Sequence, residues 1–396
     1  MLTLDKVFDA QSVLKNIIRE TTLVRAYGIA PECELYLKPE NLQITGSFKI
    51  RGSAYKIAML SDEEKVNGVV ACSAGNHAQG VALAATKSGI KSLICLPDTA
   101  PISKIEATKG FGADVCLVKG CYDDAYQKAL ELKESKCYTF VHPFDDENVI
   151  AGQGTIALEV LNELENIDAI VVPIGGGGLI SGIAFTAKQI KPSVKIYGVQ
   201  VVGAASMYDS VKNNQLECLT SVQTIADGIA VKQPGENTFR YVSEYVDDIA
   251  LVTDDEVSSA ILGLIEKQKM IAEGAGAAAV AAVMFDKFSL KGKRVVSIVS
   301  GGNIDVTSLS RVIERGLFKS GRSSSLLIEL MDKPGQLKDI SRIIADNGAN
   351  VTGVHYEKGN TESVNGCFLR IETETRDYNH IQTITQILRN EGFKIL

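Results

Sequence analysis

The stretch AIVVPIGGGGL, residues 169–179, joins an apolar strand to a run of glycines. Residues 169–174 are apolar on both alternating faces, which predicts a central strand of a parallel sheet. The glycines at 175–178 let the backbone approach a ligand closely and present several N–H groups to a phosphate. A helix is predicted from 179 to 190, directly after them. The stretch therefore predicts an α/β fold with a phosphate-binding loop.

The glycine run lacks the spacing of a dinucleotide-binding loop. The pattern G-x-G-x-x-G fails in both frames, because Ile180 and Ser181 fill its last position. Gln200 lies at the end of the following strand, where a ribose-binding site has an acidic residue. The loop therefore indicates a mononucleotide-sized cofactor, and it disfavours a nicotinamide-dependent oxidoreductase.

Strands and helices alternate regularly on both sides of this stretch. The predicted strands are 68–72, 91–96, 114–118, 169–174, 195–199 and 294–299, and the predicted helices are 78–88, 102–111, 123–135, 152–164, 179–190 and 254–270. Such alternation is typical of doubly wound, mostly parallel sheets. Two blocks of this kind predict a catalytic domain at 1–318 with two lobes, the smaller at about 50–145, and a ligand cleft between them.

Composition excludes several classes of protein. The chain has 396 residues, a net charge of -7 and no basic run, which makes nucleic acid an unsuitable partner. No apolar run reaches the roughly 20 residues of a membrane span, and the first residues lack a signal-peptide pattern. The eight cysteines stand singly and the four histidines do not cluster with them, so we expect no metal site and a cytoplasmic enzyme with reduced thiols.

The segment ITGSFKIRGS, residues 44–53, places Lys49 between Phe48 and Ile50, just after a small Gly-Ser step. Burial there would disfavour the ammonium form and lower the pKa of the lysine. A neutral amine is what Schiff-base chemistry with a carbonyl compound requires. An arbitrary Phe-Lys-Ile triplet is usually a surface feature, so this interpretation depends on the other motifs.

Two further loops follow predicted strands. Ser73-Ala74-Gly75-Asn76-His77 precedes a helix, whose free N–H groups would bind a carboxylate. The second loop, Ser300-Gly301-Gly302-Asn303, is by itself a common type of turn. A capped turn without a ligand also explains either loop when it is considered alone.

The composition changes after residue 318. A polar linker is predicted at 319–325 and a small domain at 326–396. Strands are predicted at 326–331, 350–356, 364–372 and 393–396, with a Lys358-Gly359-Asn360 turn, and helices at 336–346 and 378–390. The order β-α-β-β-α-β is the ferredoxin-like motif.

Taken together, these motifs resemble the fold type II pyridoxal-phosphate enzymes, and among them the threonine dehydratases with a C-terminal ACT domain. The resemblance covers essentially the whole chain. It rests on residues 47–52, on the loop 73–77 and on the tetraglycine. Jointly these three are highly specific, whereas each alone is much less so.

The resemblance implies a role for each motif. Lys49 would hold pyridoxal 5'-phosphate as a Schiff base and, once displaced, remove the substrate α-proton. Phe48 would pack against the cofactor ring, Asn76 would contact the ring hydroxyl, and Ser300 would face the pyridine nitrogen. The phosphate would lie on Gly175, Gly176, Gly177, Gly178 and Leu179. The substrate carboxylate would be held by Ser73, Ala74, Gly75, Asn76 and His77.

The sequence departs from the related serine racemases at two places. Ala74 stands where they carry a serine that transfers a proton, so we expect no racemisation. Their divalent-cation acids match Gln200 and Ser206, neither of which is a hard anionic ligand. Glu273 lies in another segment that the family places near the cofactor; it would either shape the site or cap a helix.

The resemblance predicts dehydration and deamination of L-threonine to 2-oxobutanoate and ammonia, with L-serine converted to pyruvate as a secondary activity. A serine-preferring dehydratase and a non-catalytic amino-acid sensor are the alternatives, and the retained motifs argue against the sensor. The motif Asp332-Lys333-Pro334-Gly335-Gln336-Leu337 resembles the start of an ACT module. Such modules imply a homo-oligomer, either dimer or tetramer, and isoleucine or valine as an effector. A pair of ACT modules serving only for dimerisation is the alternative.

Overall fold

The chain folds into two units, Met1–Asp305 and Val306–Leu396, in a computed structural model that describes residues 1–357 and 366–396. The sequence instead predicts a division after residue 318 and a linker at 319–325. In the structure the helix Val306–Lys319 groups with the second unit, and a strand already begins at Ser323. This polar run forms a strand because Ser324 is buried and shares a 2.7 Å hydrogen bond with Thr373 on the neighbouring strand.

The first unit alternates strands and helices as predicted. Its strands are β1 (Val24–Arg25), β2 (Glu34–Pro39), β3 (Val69–Cys72), β4 (Ser92–Pro97), β5 (Asp114–Val118), β6 (Thr139–Phe140), β7 (Ala169–Pro173), β8 (Lys195–Val201), β9 (Asp248–Val252) and β10 (Arg294–Val299). Its α-helices are α1 (Leu4–Leu14), α2 (Lys49–Ala58), α3 (Asp62–Asn67), α4 (Asn76–Lys87), α5 (Ile102–Gly110), α6 (Tyr122–Lys136), α7 (Glu147–Glu163), α8 (Gly178–Ile190), α9 (Ser206–Asn213), α10 (Glu236–Tyr245), α11 (Asp254–Gly263) and α12 (Gly274–Met284).

These strands form two sheets, and each sheet is the centre of one lobe. The larger sheet has the order β1-β2-β10-β7-β8-β9, in which all neighbours are parallel except β1 and β2. The smaller sheet has the order β5-β4-β3-β6 and is parallel throughout. The predicted architecture of two α/β lobes is confirmed. Strand β7 is central and fully buried, as its apolar pattern predicted.

The helix predicted at 254–270 is shorter in the structure. Helix α11 begins with a capping box, in which Thr253 Oγ1 accepts from the N–H of Glu256 and the Glu256 carboxylate accepts from the N–H of Thr253. It ends at Gly263 and passes into a π-helical turn, Leu264–Gln268. Lys269 then adopts a left-handed backbone with φ of 57°, which ends the helix.

A buried ion cluster surrounds Arg51, which lies two residues after Lys49 in the first turn of α2. Arg51 donates two hydrogen bonds of 2.8 Å to the Glu40 carboxylate and further bonds to Glu159. Lys38 donates to the Glu159 carboxylate at 2.6 Å. The cluster contains two cations and two anions, so its charges balance in a site without water contact for Arg51 and Glu40. It fixes the start of α2 against β2 and α7.

The second unit has the predicted β-α-β-β-α-β order after its first helix. Its elements are α13 (Val306–Lys319), β11 (Ser323–Met331), α14 (Gln336–Asp346), β12 (Asn350–Glu357), β13 (Gly366–Glu374), α15 (Tyr378–Asn390) and β14 (Lys394–Ile395). The antiparallel sheet has the order β12-β13-β11-β14. The predicted turn at 358–360 and the predicted strand start at 364 lie outside the described residues.

Candidate active site

A cavity of about 1080 Å³ opens between the two lobes of the first unit. Every site residue that the sequence predicted lies on its wall, namely Phe48, Lys49, Ser73, Ala74, Gly75, Asn76, His77, Gly175, Gly176, Gly177, Gly178, Leu179 and Ser300. These residues come from the amino ends of α2, α4 and α8 and from the carboxyl end of β10. Ligands in open α/β folds bind at such strand ends, so the cavity is the candidate active site.

Lys49 is the first residue of α2, and its amine faces the cavity. Nζ donates a 2.8 Å hydrogen bond to the carbonyl oxygen of Pro143 and lies 5.2 Å from the centroid of the Phe48 ring. Loss of water contact lowers the Lys49 pKa from 10.5 to about 8, although the nearby Glu273 opposes that change. A substantial fraction of this amine is therefore neutral near physiological pH, as nucleophilic attack on an aldehyde requires.

The glycine loop leaves no room for side chains. A Cβ on Gly176 would lie 2.4 Å from the Phe144 ring, and one on Gly178 would lie 2.9 Å from the Phe144 backbone. Gly177 precedes α8 with a left-handed φ of 99°. The loop therefore presents backbone N–H groups and a helix N-terminus to the cavity, which suits a phosphate monoester. Together with the Lys49 amine, this donor set fits pyridoxal phosphate.

Asn76 belongs to a hydrogen-bonded chain that crosses the cavity wall. Its Nδ2 donates to Oε1 of Glu273 at 2.6 Å, and its Oδ1 accepts from Nδ2 of Asn303 at 2.8 Å. Asn303 Nδ2 also donates to the carbonyl of Thr45 at 2.7 Å. Both ends of the Asn76 amide are thus fixed, and its orientation follows from its neighbours.

Glu273 occupies the cap position before α12, yet its side chain makes no capping hydrogen bond. Of the two sequence interpretations, a residue that shapes the site therefore agrees better with the geometry than a helix cap. Burial raises the pKa of its carboxyl to about 7, and the charge of Asp227 acts in the same direction. The hydrogen bond from Asn76 and the cations Lys104 and Lys49 act against that rise.

The loop 73–77 offers mainly backbone donors. Helix α4 begins at Asn76, so the first N–H groups of its initial turn have no partner within the helix. The His77 ring is buried and donates from Nε2 to the carbonyl of Val141 at 2.8 Å. Burial lowers the His77 pKa to about 3, so the ring is neutral. His77 therefore presents its backbone rather than its imidazole to a ligand carboxylate.

Ser300 and Phe48 are joined through the backbone. The N–H of Phe48 donates to the Ser300 carbonyl at 3.0 Å, and Ser47 forms a bridge with Gly301. This pairing brings residues that are far apart in sequence to the same side of the cavity. Ser300 offers a hydroxyl there and not a carboxylate.

Gln200 and Ser206, the two positions considered for a cation site in the sequence analysis, form hydrogen bonds within the protein. Gln200 accepts from the N–H of Tyr208 at 2.8 Å, and Ser206 Oγ donates to the Val231 carbonyl at 2.8 Å. Within residues 1–357 and 366–396, no group of three His, Cys, Asp or Glu side chains is arranged to hold a metal ion. Across the same residues, no helix is both long and apolar enough to cross a membrane.

Several residues of the cavity wall were not predicted from the sequence. His142, Phe144 and Asp145 lie in the loop between β6 and α7. Thr238, a fully buried residue in the first turn of α10, was not predicted either. Thr238 Oγ1 donates to the carbonyl of Gly176 at 2.6 Å and so supports the glycine loop. The Asp146 side chain that caps α7 was the one local signal of a structured turn here.

Comparison with known proteins agrees with this geometry. A family model described as pyridoxal-phosphate dependent enzyme matches residues 14–301. An L-threonine ammonia-lyase of Thermotoga maritima is 47% identical over 398 residues, which cover 100% of this chain and 99% of that protein. An L-threonine dehydratase, catabolic TdcB, of Staphylococcus aureus is 45% identical and covers 80% of this chain and 93% of its own length. The solved structure of a processed threonine deaminase isoform 2 from Solanum lycopersicum has a TM-score of 0.75 and 39% identity, covering 78% of this chain and 93% of that one.

Proposed function

The chain belongs to the pyridoxal-phosphate-dependent enzyme family, and we propose that it converts L-threonine to 2-oxobutanoate and ammonia, with L-serine to pyruvate as a secondary reaction. One observation carries the proposal. A single cavity contains a lysine amine of lowered pKa, a glycine loop suited to a phosphate, and a loop whose backbone N–H groups are suited to a carboxylate. The full-length similarity to an L-threonine ammonia-lyase supports the choice of substrate.

Different residues of the cavity would bind different groups of the cofactor. Lys49 would hold its aldehyde carbon, the glycines 175–178 and the α8 N-terminus would hold its phosphate, and Phe48 would pack on its ring. Asn76 would contact the ring hydroxyl and Ser300 the ring nitrogen. When bound, pyridoxal phosphate supplies an electron-accepting ring that makes the α-proton of an attached amino acid acidic.

Lys49 and the loop 73–77 would act on the substrate. The backbone N–H groups at the start of α4 would hold the substrate carboxylate, which fixes the direction of the α-carbon. Once displaced by the substrate amine, Nζ of Lys49 would accept the α-proton as a general base, which its lowered pKa permits near neutral pH. The β-hydroxyl would leave as water, and the released enamine would tautomerise to an imine that water hydrolyses to a 2-oxo acid and ammonia.

Two residues favour elimination over competing reactions. Ser300 offers a hydroxyl, which does not raise the basicity of the ring nitrogen as a carboxylate would. Weaker electron withdrawal by the ring would favour loss of the β-hydroxyl over transamination. Ala74 has no proton to give to the opposite face of the α-carbon, which argues against racemisation.

The second unit would act as a regulatory ACT domain. Its support is the β-α-β-β-α-β order and the motif at 332–337, which precedes and opens α14. In this proposal two copies of the chain associate through these units and bind isoleucine or valine. Calorimetric titration with each amino acid, together with sedimentation velocity, tests it. A monomer with no affinity for either ligand and unchanged activity would exclude the regulatory role.

A product assay tests the proposed reaction. Purified, cofactor-loaded protein is mixed with L-threonine or L-serine, and 2-oxo acid and ammonia are quantified over time. We expect equal amounts of 2-oxobutanoate and ammonia from threonine, and loss of both in Lys49→Ala. Pyruvate formed from serine alone would indicate a serine-preferring dehydratase. No product from either substrate would contradict the proposal.

A further inference from the structure

The turn 142–146 contacts both halves of the candidate active site. The Pro143 carbonyl accepts the hydrogen bond from Nζ of Lys49 at 2.8 Å. The next residue, Phe144, lies against Gly176 and Gly178, where a Cβ would come within 2.4 Å and 2.9 Å of it. A shift of this turn would therefore move the support of the lysine amine and the wall of the glycine loop together.

The imidazole of His142 accepts hydrogen bonds from the backbone of this turn. Its Nδ1 accepts hydrogen bonds from the backbone N–H groups of Phe144 at 3.3 Å and Asp145 at 2.7 Å. An acceptor Nδ1 places the ring proton on Nε2 and requires a neutral imidazole. This pattern, a side-chain acceptor for the second and third following N–H groups, is what an aspartate or asparagine makes in a tight turn.

Burial keeps the imidazole in the form that the turn needs. It lowers the His142 pKa to about 4; the charge of Lys49 adds to this, and the carboxylates of Asp145 and Asp146 oppose it. The ring also packs at an edge-to-face angle of 88° against Phe144, with centroids 4.7 Å apart. His142 thus remains neutral throughout the physiological pH range.

Asp145, at the end of the turn, is also connected to the glycine loop through hydrogen bonds of Thr238. Asp145 Oδ1 accepts from the N–H of Thr238 at 3.1 Å. Thr238 Oγ1 in turn donates to the carbonyl of Gly176 at 2.6 Å. The two hydrogen bonds at His142 therefore hold a rigid bridge that runs from Lys49 to the phosphate-binding loop.

We propose that His142 is a positioning residue of the active site, which acts through Nδ1 to set the turn that supports Lys49 and the glycine loop. The inference rests on the proposed cofactor role of Lys49. His142 would matter when the Lys49 amine is unattached, because the Pro143 carbonyl then orients Nζ. That condition holds before cofactor capture and again after the substrate has displaced the lysine.

Two substitutions separate the acceptor from the ring. His142→Phe keeps the aromatic packing and removes Nδ1, whereas His142→Asn removes the ring and keeps an acceptor, Oδ1, at the corresponding position. His355→Leu is the control, since it removes an exposed imidazole from the second unit. Cofactor-free forms are mixed with pyridoxal phosphate. The measurements are the dissociation constant and the rate of attachment to Lys49, trapped by borohydride reduction and located by peptide mass spectrometry.

We expect His142→Phe to have a dissociation constant for pyridoxal phosphate at least about tenfold higher than that of the wild type, because two hydrogen bonds are lost. Its rate of attachment to Lys49 should fall at least about tenfold for the same reason. His142→Asn should remain within about threefold of the wild type on the same scale. The inference is overturned if His142→Phe behaves like the wild type, or if His142→Asn fails as badly. If His142→Phe does not fold, His142→Asn decides alone, since normal attachment supports the acceptor role and impaired attachment overturns it. Absence of any attachment to Lys49 in the wild type would instead refute the proposed function.

Discussion

Asn76 and Glu273 meet through a 2.6 Å hydrogen bond although 197 residues separate them in the chain. Asn76 opens the first helix after strand β3 of the smaller lobe, and Glu273 precedes α12 of the larger one. Each lobe therefore supplies one partner of a contact on the cavity wall. The orientation of the Asn76 amide depends on this contact and on Asn303.

Substitution of Glu273 by glutamine should change how stability depends on pH. Burial raises the pKa of Glu273 from 4.5 to about 7, so its stabilising contribution is complete below pH 4.5 and is lost as pH rises through 7. Glu273→Gln removes this dependence. Relative to the wild type, its free energy of unfolding should rise by about 2–3 kcal/mol between pH 5 and pH 8, measured by urea unfolding. Equal pH profiles for both proteins would contradict the assignment.

Capture of the cofactor by Lys49 should depend on pH with a midpoint near 8. The neutral amine attacks the aldehyde, and with a pKa of about 8 roughly 10% of Lys49 is neutral at pH 7 and roughly 90% at pH 9. The rate of attachment to cofactor-free protein should therefore increase about tenfold over this range and then level off. Stopped-flow absorbance measures it. A rate still climbing steeply above pH 10 would indicate an ordinary solvated lysine.

Gly176→Ala should weaken cofactor binding, because the added Cβ would lie 2.4 Å from the Phe144 ring. Relief of that clash must displace either Phe144 or the glycine loop, so we expect at least about a tenfold increase in the dissociation constant for pyridoxal phosphate. Gly110→Ala is the matched control, since no atom lies within 4 Å of its added Cβ. Equal affinities for the two variants, measured by absorbance titration, would show that the loop adapts freely.

Removal of the Arg51 guanidinium should destabilise the first unit strongly. Arg51→Met leaves the fully buried Glu40 without its cation, and breaking such a pair typically costs about 3–5 kcal/mol. Arg51→Lys keeps the charge but loses the two-pronged contact, so its loss should be smaller. Urea unfolding of both variants checks this order. Wild-type stability in Arg51→Met would mean that the cluster contributes little.

Asn303→Ala should loosen Asn76 and so weaken cofactor binding about tenfold, with a smaller effect on overall stability. Asn303 Nδ2 donates both to Asn76 Oδ1 and to the Thr45 carbonyl. Asn303→Asp should be worse, because a carboxylate would face these two acceptors without an N–H group to offer. The dissociation constants of the three proteins test the order. Tighter cofactor binding by Asn303→Asp than by Asn303→Ala would refute this prediction.

Much of the first unit could be predicted because its elements have clear patterns. Strand β7 is apolar on both faces, and β5 and β10 begin and end at the residues that the sequence indicated. The helix α13 was not predicted: Leu309, Val312 and Leu317 are spaced as on one helix face, but its serines, threonine and glycine lower helix propensity. Patterns of this kind reveal elements but not the exact turn that ends them, as the π-helical end of α11 illustrates.

The site could be predicted in part for a different reason. The loop 73–77 follows β3 of the smaller sheet and the glycines follow β7 of the larger one, so each sheet places one of these loops at the carboxyl ends of its strands. His142 and Thr238 were not predicted because they act through one or two hydrogen bonds with the backbone of irregular segments, which leave no periodic signal. The Asn76–Glu273 contact likewise depends on how two lobes meet, and no local pattern encodes that distance.

The pairing of β2 with β10 has a consequence for synthesis of the chain. Residues 34–39 lie beside residues 294–299, so the larger sheet cannot close until nearly all of the first unit has left the ribosome. The smaller lobe, by contrast, pairs strands that lie within residues 69–140 and needs no later segment for its sheet. Phe48, the neighbour of Lys49, pairs with Ser300 through the same late closure. We therefore expect a nascent chain to complete its cofactor site late in the folding of this unit, and a chain cut short before residue 294 to bind the cofactor poorly.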